Sequence, residues 1–322
     1  MINNIYRSDK PVKIGNLVGN RFVVNVRNIK SDIDVDLVEK ISSYLTNNSG
    51  FPNFYGIQRF GVIRPITHLV GKYIVKDDFE KAVMTYIGNP IKGEDEVSFI
   101  VRKNLEETHD FKEAIKTFPT YLNYERAILN KLVLDSKDFI GSLQELPRNL
   151  LSMFVYAYQS CLFNKILSER IKRKIPLNRA IEGDIVMPVR KGVIDDKLIY
   201  VKSNNIEKVN YQISRGKAVV SGVLFGSDSV FSEGEMGEIE QKVIENEKID
   251  HRDFIVPDIP YISSSGSRRA VLGILEDIKY DLKKDNLNKN MQMLNLKFEL
   301  KKGCYATSVL REFMKADNIK NY

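Results

Sequence analysis

The stretch PRNLLSMFVYAYQSCLFNKILSERI, residues 147–171, constrains this chain more than any other. Leu151, Val155, Tyr158, Leu162 and Ile166 recur every three or four residues, so they draw one apolar stripe along a long helix. Pro147 suits its first turn, where a missing N–H costs nothing. Such a stripe needs a partner layer, and the neighbouring sequence offers two kinds. Residues 104–175 read as helical throughout. From about residue 183 the pattern changes to short β-like runs, GDIVMPV, KLIYVKS and GKAVVSGVLFG, with a second aliphatic helix near 235–248.

Both ends of the chain read differently from this middle. RFVVNVR (21–27) alternates as a strand does. Ile33, Leu37, Ile41 and Leu45 predict a helix over 33–46. Asp77 or Asp78 is placed to cap a helix through Ala82, Val83 and Tyr86, stopped by Gly88-Asn89-Pro90. NLKFELKKG reads as a strand and TSVLREFMKA as a helix. Short lobes of mixed α/β character thus flank a long middle that is helical first and β-containing later. A domain inserted into another domain gives that order.

At 322 residues the chain suits two domains. Apolar residues make up 43% and charged residues 28%, a globular balance, and the formal charge of +7 is compatible with a polyanionic partner. Cys161 and Cys304 stand alone, which gives neither a disulfide framework nor a zinc spacing and fits a reducing cytosol. No apolar run approaches the roughly 20 residues of a membrane helix. The start, MINNIYRSDKPVKIG, is neither a signal peptide nor a transit sequence. His68, His109 and His251 form no metal-ligand or triad pattern and suit surface or capping positions. There is no Walker A loop, and GNLVGN (15–20) lacks the register of a dinucleotide fingerprint.

Three blocks remain that can carry chemistry. GFPNFYGIQRFG (50–61) mixes Asn53, Gln58 and Arg59 with Phe51, Phe54, Tyr55 and Phe60 between glycines. Its rings either fill a core or offer a surface where bases stack and polar groups read their edges. In KFELKKGCYATSVLREF (297–313), Thr307 or Ser308 can cap a helix whose first N–H groups suit an anion. Tyr305 on the preceding turn points either into the core or into a cleft. SSSGSRRA (263–270) reads as a tight loop ending in Arg268 and Arg269, whose planar forks suit phosphate or stay solvated. The basic clusters at 172–174 and 283–284 read as solvated faces.

Together these blocks resemble one family, the TruD-type tRNA pseudouridine synthases. YRSDKPVKIGNLVGNRF (6–22), GFPNFYGIQRFG, SSGSRRA and GCYATSVLREF carry the likeness in the family's order, and LPRNLLSMFVYAYQSCLFNKILSER (146–170) looks like the long helix of its inserted domain. The resemblance implies an α/β (α+β) fold, a mixed and mostly antiparallel pseudouridine-synthase sheet split by a large insertion. Its expected parts are 1–78 and 280–322 for the catalytic lobe and 79–279 for the insertion. It implies that Asn53 contacts the target nucleotide and that Tyr305 lies against the flipped uracil. Tyr55 belongs to the block that lines the cleft, Arg59 and Gln58 hold the backbone or the cleft geometry, and Arg268 and Arg269 turn toward phosphates.

The implied reaction is isomerisation of uridine to pseudouridine in tRNA, in the D-arm or the anticodon loop of a tyrosine tRNA, in the cytoplasm. It implies no cofactor, no metal, no nucleotide cofactor and no membrane. The family's nucleophilic aspartate belongs to a G-x-K-D-x-x-A-x-T block ahead of YRSDKP, and that block is not in this sequence. Asp9 belongs to YRSDKP itself, and Asp32, Asp34 and Asp36 suit a helix start. No catalytic residue is therefore assigned within the chain. The alternative reading is a catalytically inactive tRNA-binding protein.

Overall fold

The structure is a computed structural model and describes residues 6, 7, 9, 11, 17–47, 50–190 and 192–316. Ser8, Lys10 and residues 12–16 of the YRSDKPVKIGNLVGNRF block lie outside the described residues. The elements run β1 (Gly19–Ile29), α1 (Val35–Asn47), β2 (Phe51–Pro52), α2 (Thr67–Val75), α3 (Phe79–Ile87), α4 (Glu96–Thr108), α5 (Phe111–Thr117) and α6 (Asn123–Leu134). There follow α7 (Phe139–Gln144), α8 (Arg148–Lys172), β3 (Ile185–Arg190), β4 (Val193–Ile194), β5 (Ile199–Tyr200), α9 (Ile206–Ser214), β6 (Ala218–Leu224) and α10 (Gly234–Glu247). The chain closes with β7 (Ser267–Ala270), β8 (Leu272–Gly273), β9 (Ile278–Lys284), β10 (Gln292–Lys301) and α11 (Ala306–Met314). This is the mixed α/β class expected, and the registered strand pairs are antiparallel.

The chain divides into two compact units. One holds the described residues of Met1–Phe51 with Gly273–Phe313; the other is Pro52–Leu272 with the described residues of Met314–Tyr322. The divisions between these compact units fall at residues 51/52 and 272/273. The physical reason for the first is α2, which packs along α8 so closely that a Cβ on Gly71 would lie 1.9 Å from the Phe154 carbonyl oxygen.

In the first unit, β10 is the central strand of a sheet ordered β1-β10-β9. Leu294, Leu296, Phe298 and Leu300 alternate inward, as a half-buried strand requires. Phe22 on β1 lies opposite Phe298 and stacks on it at 5.4 Å. The register slips between Val26 and Ile29, where Asn28 has φ 58°. Asp285 holds that irregularity, accepting from Arg27 Nη1 at 2.7 Å and from the Asn28 N–H at 3.0 Å. Asp34 caps α1 by accepting the Leu37 N–H at 2.8 Å. The α1 core face is Val38, Ser42 and Leu45, not the expected Leu37, which is 43% exposed. The strand β9 carries Lys283 and Lys284 and was not anticipated by sequence pattern.

The second unit has a helical side and a sheet side. Asp78 caps α3 through the Lys81 N–H, and Gly88 ends it, as expected. The stretch 104–175, expected to be helical throughout, is broken between α4 and α8 at short links that include His109 in the left-handed region (φ 54°) and the Pro119 and Pro147 turns. The expected stripe of α8 is buried, and so are Phe154, Phe163 and Leu167 outside it. That second buried side exists because α8 serves two cores. Leu151, Val155, Tyr158 and Ile166 join the helices, while Phe163 and Leu167 join Val186, Val220 and Val271 of the sheet side. The sheet runs β4-β3-β6-β7, with β5 also pairing β3. Helices α2 and α9 were not read from the sequence: unlike α3, which has the same length of nine residues, neither begins with a side-chain cap.

Buried charge fixes this unit. Arg170 and Asp184 are both fully buried and pair through two parallel bonds of 2.6 and 2.9 Å. Arg170 also caps the Pro176 carbonyl, and Asp184 accepts the Ile181 N–H. Elsewhere Arg64 and Arg102 close the C-terminal carbonyls of α3, donating to Gly88 O at 2.6 Å and Ile87 O at 2.8 Å. Burial, with Arg102 beside it, lowers the Arg64 pKa to about 10. Glu247, at the end of α10, accepts from Lys72 of α2, from Lys165 of α8 and from the Tyr158 hydroxyl. Burial alone would raise its pKa, but the hydrogen bonds and charges of Lys165 and Lys72 outweigh that and hold it at about 2.

Removing one member of a buried pair strands its partner, so Asp184→Ala is expected to cost about 3–5 kcal/mol in urea unfolding. An unchanged midpoint would contradict that role. Glu247 has a depressed folded-state pKa, so its contribution is present above its ordinary value of 4.5 and is lost as pH falls toward about 2. Unfolding of Glu247→Gln is expected to depend less on pH across that window than the wild type does.

Candidate functional site

The segment 50–61 divides its aromatic residues between structure and display. Phe51 is fully buried in the first unit, where its ring lies where a Cβ on Gly273 would be, 2.5 Å from Cζ. Phe54 belongs to the sheet-side core of the second unit, and Phe60 packs edge-on to His68 at 5.2 Å. Those three rings follow the core-filling reading. Tyr55 does both: half-buried, it packs at the rim of that sheet-side core while its ring also lies against charged side chains. Gly61, at φ 107°, turns the chain where a Cβ would meet the Arg64 carbonyl oxygen at 2.0 Å.

Arg269 on β7 places its guanidinium 4.0 Å over the Tyr55 ring and 5.6 Å from the Phe163 ring. Its Nη2 donates to Asn53 Oδ1 at 2.8 Å. Asn53 is 4% exposed; its Nδ2 donates to the Ala270 carbonyl and its backbone N–H to the Val271 carbonyl, both at 2.9 Å. Arg59, on the 3₁₀ turn Ile57–Arg59, approaches the same ring at 5.8 Å. The arrangement is an aromatic face flanked by two cations, attractive through the ring quadrupole. Four sequence-chosen residues, Asn53, Tyr55, Arg59 and Arg269, therefore meet in one cluster inside the second unit.

Arg268 does not join them. The expected loop SRRA is the strand β7, paired with β6 so that Arg268 faces Val223 and Arg269 faces Gly222. Neighbouring residues of a strand point to opposite faces. The Arg268 side chain is 3% exposed and donates to Glu240 Oε1 and Ser232 Oγ at 2.9 Å and to Ser221 Oγ at 2.8 Å. It is an internal cross-link, in place of the phosphate contact expected of it.

Tyr305 lies in the first unit, half-buried on the turn before α11, where its carbonyl accepts the Ser308 N–H at 3.1 Å. Because α11 begins at Ala306, Thr307 and Ser308 are inside its first turn and neither is the cap expected. A groove of about 840 Å³ in the same unit is lined by both signs of charge, including Arg21, Lys297, Lys301, Glu276 and Glu299, and by none of the chosen residues.

The sequence reading missed three residues of α8 that touch the cluster. Asn164 accepts the Tyr55 N–H at 2.9 Å and donates to the Tyr55 carbonyl at 3.0 Å. Ser160 accepts from Arg59 Nε at 3.2 Å, and Phe163 meets Tyr55 edge-on at 5.8 Å. The signal available was a polar pair spaced i, i+4 within QSCLFNKIL, an otherwise apolar stretch. His251, expected at the surface or in a cap, packs instead on Phe225 at 4.5 Å and shares a hydrogen bond with the Gly226 carbonyl. Among the described residues, no group of three His, Cys, Asp or Glu side chains is placed to hold a metal ion, and no helix is long and apolar enough to cross a membrane.

Known proteins share both the sequence and the fold. Residues 1–313 match the family described as tRNA pseudouridine synthase D (TruD). A protein of Methanosarcina acetivorans named tRNA pseudouridine synthase D is 42% identical over 318 residues, 98% of this chain and 72% of that protein. A Thermococcus sibiricus protein of the same name is 37% identical over 311 residues, 95% of this chain and 71% of its own length. The crystal structure of a Methanosarcina mazei tRNA pseudouridine synthase D superposes with a TM-score of 0.91 at 42% identity, covering 98% of this chain and 73% of that one. Fold and sequence together define a pseudouridine synthase. The chain belongs to the tRNA pseudouridine synthase D (TruD) family.

Asn53 ties its loop to β7 through a nearly buried amide that accepts from Arg269 and donates to the Ala270 carbonyl. Asn53→Ala is expected to cost about 1–3 kcal/mol of stability by leaving those groups short of a partner. Denaturant unfolding that matched the wild type would show the amide is not a structural tie.

Proposed function

We propose that this chain binds tRNA, holds a uridine that has left its base stack, and serves its isomerisation to pseudouridine. The observation that carries the reading is the Tyr55 ring beneath Arg269 and beside Arg59, with the Asn53 amide at its edge. Unstacking a base costs a few kcal/mol, and a site of rings and guanidiniums offsets that cost. Membership of the family supports uridine as the base and tRNA as the partner.

Each residue has a proposed part. Asn53 contacts the target nucleotide and keeps its loop on β7. Tyr55 and Arg269 form the platform, Arg59 takes a backbone phosphate, and Tyr305 offers its ring to the uracil. A tyrosine at that last position keeps the stacking face and adds a hydroxyl. In the reaction the C1′–N1 bond breaks, the uracil turns, a C1′–C5 bond forms, C5 loses its proton and N1 gains one. The aspartate that acts on the sugar or the base belongs to the family block that precedes YRSDKP, so no carboxylate within these 322 residues is given that part.

Residues 1–78 and 280–322 are proposed to belong to the catalytic lobe and 79–279 to the inserted domain, with the protein working in the cytoplasm. The match of nearly the whole chain to relatives named as synthases favours this over an inactive tRNA-binding protein.

The test is a tRNA titration at two salt concentrations, followed by detection of pseudouridine in the recovered RNA. Affinity is expected to fall steeply with salt as bound counterions are released. Tyr305→Ala is expected to weaken binding by about 1–3 kcal/mol if its ring stacks on a base. No preference for tRNA over a neutral polymer would overturn the reading; tRNA binding with no pseudouridine formed would return the inactive alternative.

A further inference from the structure

The arginines of the cluster differ in what they leave unused. Arg268 is enclosed, and Arg269 is directed at Asn53 and Tyr55. The Arg59 guanidinium lies near the Tyr55 ring and, among the described residues, is hydrogen-bonded only at Nε, to Ser160 Oγ. Among the described residues neither of its Nη groups has a hydrogen-bond partner and it has no paired carboxylate. A guanidinium fixed at Nε keeps its two Nη groups as a parallel pair of donors, the geometry that fits one phosphate group. Ser160 is well suited to fix it. Ser160 is 1% exposed and its hydroxyl donates its own proton to the Tyr156 carbonyl at 2.7 Å, so its lone pairs face the arginine from a set direction. One turn further along α8, Asn164 holds both backbone polar groups of Tyr55 with a single amide.

We propose that Ser160 and Asn164 are positioning residues for RNA: Ser160 aims the Arg59 fork at one backbone phosphate, and Asn164 fixes the main chain of Tyr55 so that its ring stays under Arg269. This rests on the reading of the chain as a tRNA-binding synthase. It assigns to α8 a part in recognition that the helix plays without touching the nucleic acid. The rigidity comes from the helix itself, since two side chains spaced i, i+4 on a buried helix move together.

The experiment measures tRNA affinity of the full chain at several salt concentrations for the wild type, Ser160→Ala, Arg59→Ala and the double variant. Ser160→Ala leaves the fold intact, because alanine is the better helix former and the Tyr156 carbonyl already lies in the helix ladder. A thermal melt checks this. Ser160→Ala is expected to weaken binding about three- to tenfold, the worth of one hydrogen bond to a charged group lost in part. Arg59→Ala is expected to weaken it more and to reduce the dependence of log affinity on log salt by about one contact. In the Arg59→Ala background, Ser160→Ala is expected to change nothing further, because its effect passes through Arg59.

Ser160→Thr, which keeps the hydroxyl, restores affinity, and Asn164→Asp, which keeps only the acceptor for the Tyr55 N–H, falls between. Equal losses from Ser160→Ala in both backgrounds would overturn the proposal, as would no loss in either. Arg59→Ala binding like the wild type would overturn it while leaving the function standing. A wild type that does not prefer tRNA would overturn the function and the positioning roles with it.

Discussion

The buried Arg170–Asp184 pair is the constraint on which the second unit depends. Arg170 lies in the last turn of the long helix α8 and Asp184 precedes β3, so two parallel charge-assisted bonds set where the helix lies on the sheet. The pair tolerates little movement, because any shift would leave a charge in a fully buried place without its partner. Everything that α8 presents along its length follows from that docking. Phe163 settles against Gly222 of β6, where even a Cβ would come within 3.2 Å of its ring, and Gly222 lies beside Arg269 of β7. Seven residues before Arg170 in the chain, the helix therefore delivers Phe163 beside the very arginine that covers Tyr55.

The same unit sorts its cations by environment. Arg64, Arg102, Arg170 and Arg268 are consumed by carbonyls and carboxylates of the interior and stabilise helix ends or strand edges. Arg59 and Arg269 lie against an aromatic ring instead. A guanidinium is more weakly hydrated than an ammonium and stacks on a ring face, so this placement costs less than it would for lysine. Lysines take the outer positions, as with Lys72 and Lys165 around Glu247, where flexible stems reach a carboxylate from two helices. A net charge of +7 does not by itself locate an RNA-binding face, because it sums charges without regard to where the fold places them.

The segment 50–61 shows how one short block serves two purposes. Its glycines and core phenylalanines fix a turn of defined shape, and that shape is what allows Asn53, Tyr55 and Arg59 to converge from separate positions of a largely irregular segment. Irregular backbone leaves N–H and C=O groups to be satisfied. Here the Val271 carbonyl accepts the Asn53 N–H, the Arg269 guanidinium donates to the Asn53 carbonyl, and Asn164 satisfies both groups at Tyr55. The loop is held by side chains from a helix and by strand carbonyls, a rigid scaffold for a site built on a loop.

Periodicity along the chain determined the strands β1, β3, β6 and β10, the capped helix α3, the long helix α8 and the mixed α/β class, because burial of one face imposes a repeat that is local and readable. The clustered aromatic, amide and arginine block was equally legible, as was its likeness to one family. What the sequence left undecided was which way each side chain would face. Arg268 and Arg269 are adjacent and chemically identical, yet one is buried on Glu240 and the other covers Tyr55. The difference arises only once SRRA pairs with β6 and becomes a strand with two faces. Ser160 and Asn164 likewise look like ordinary polar interruptions of a helix until residues more than a hundred positions away are brought against them. Contacts of that range depend on how elements dock, and docking is set by buried charge and close packing that no local pattern encodes.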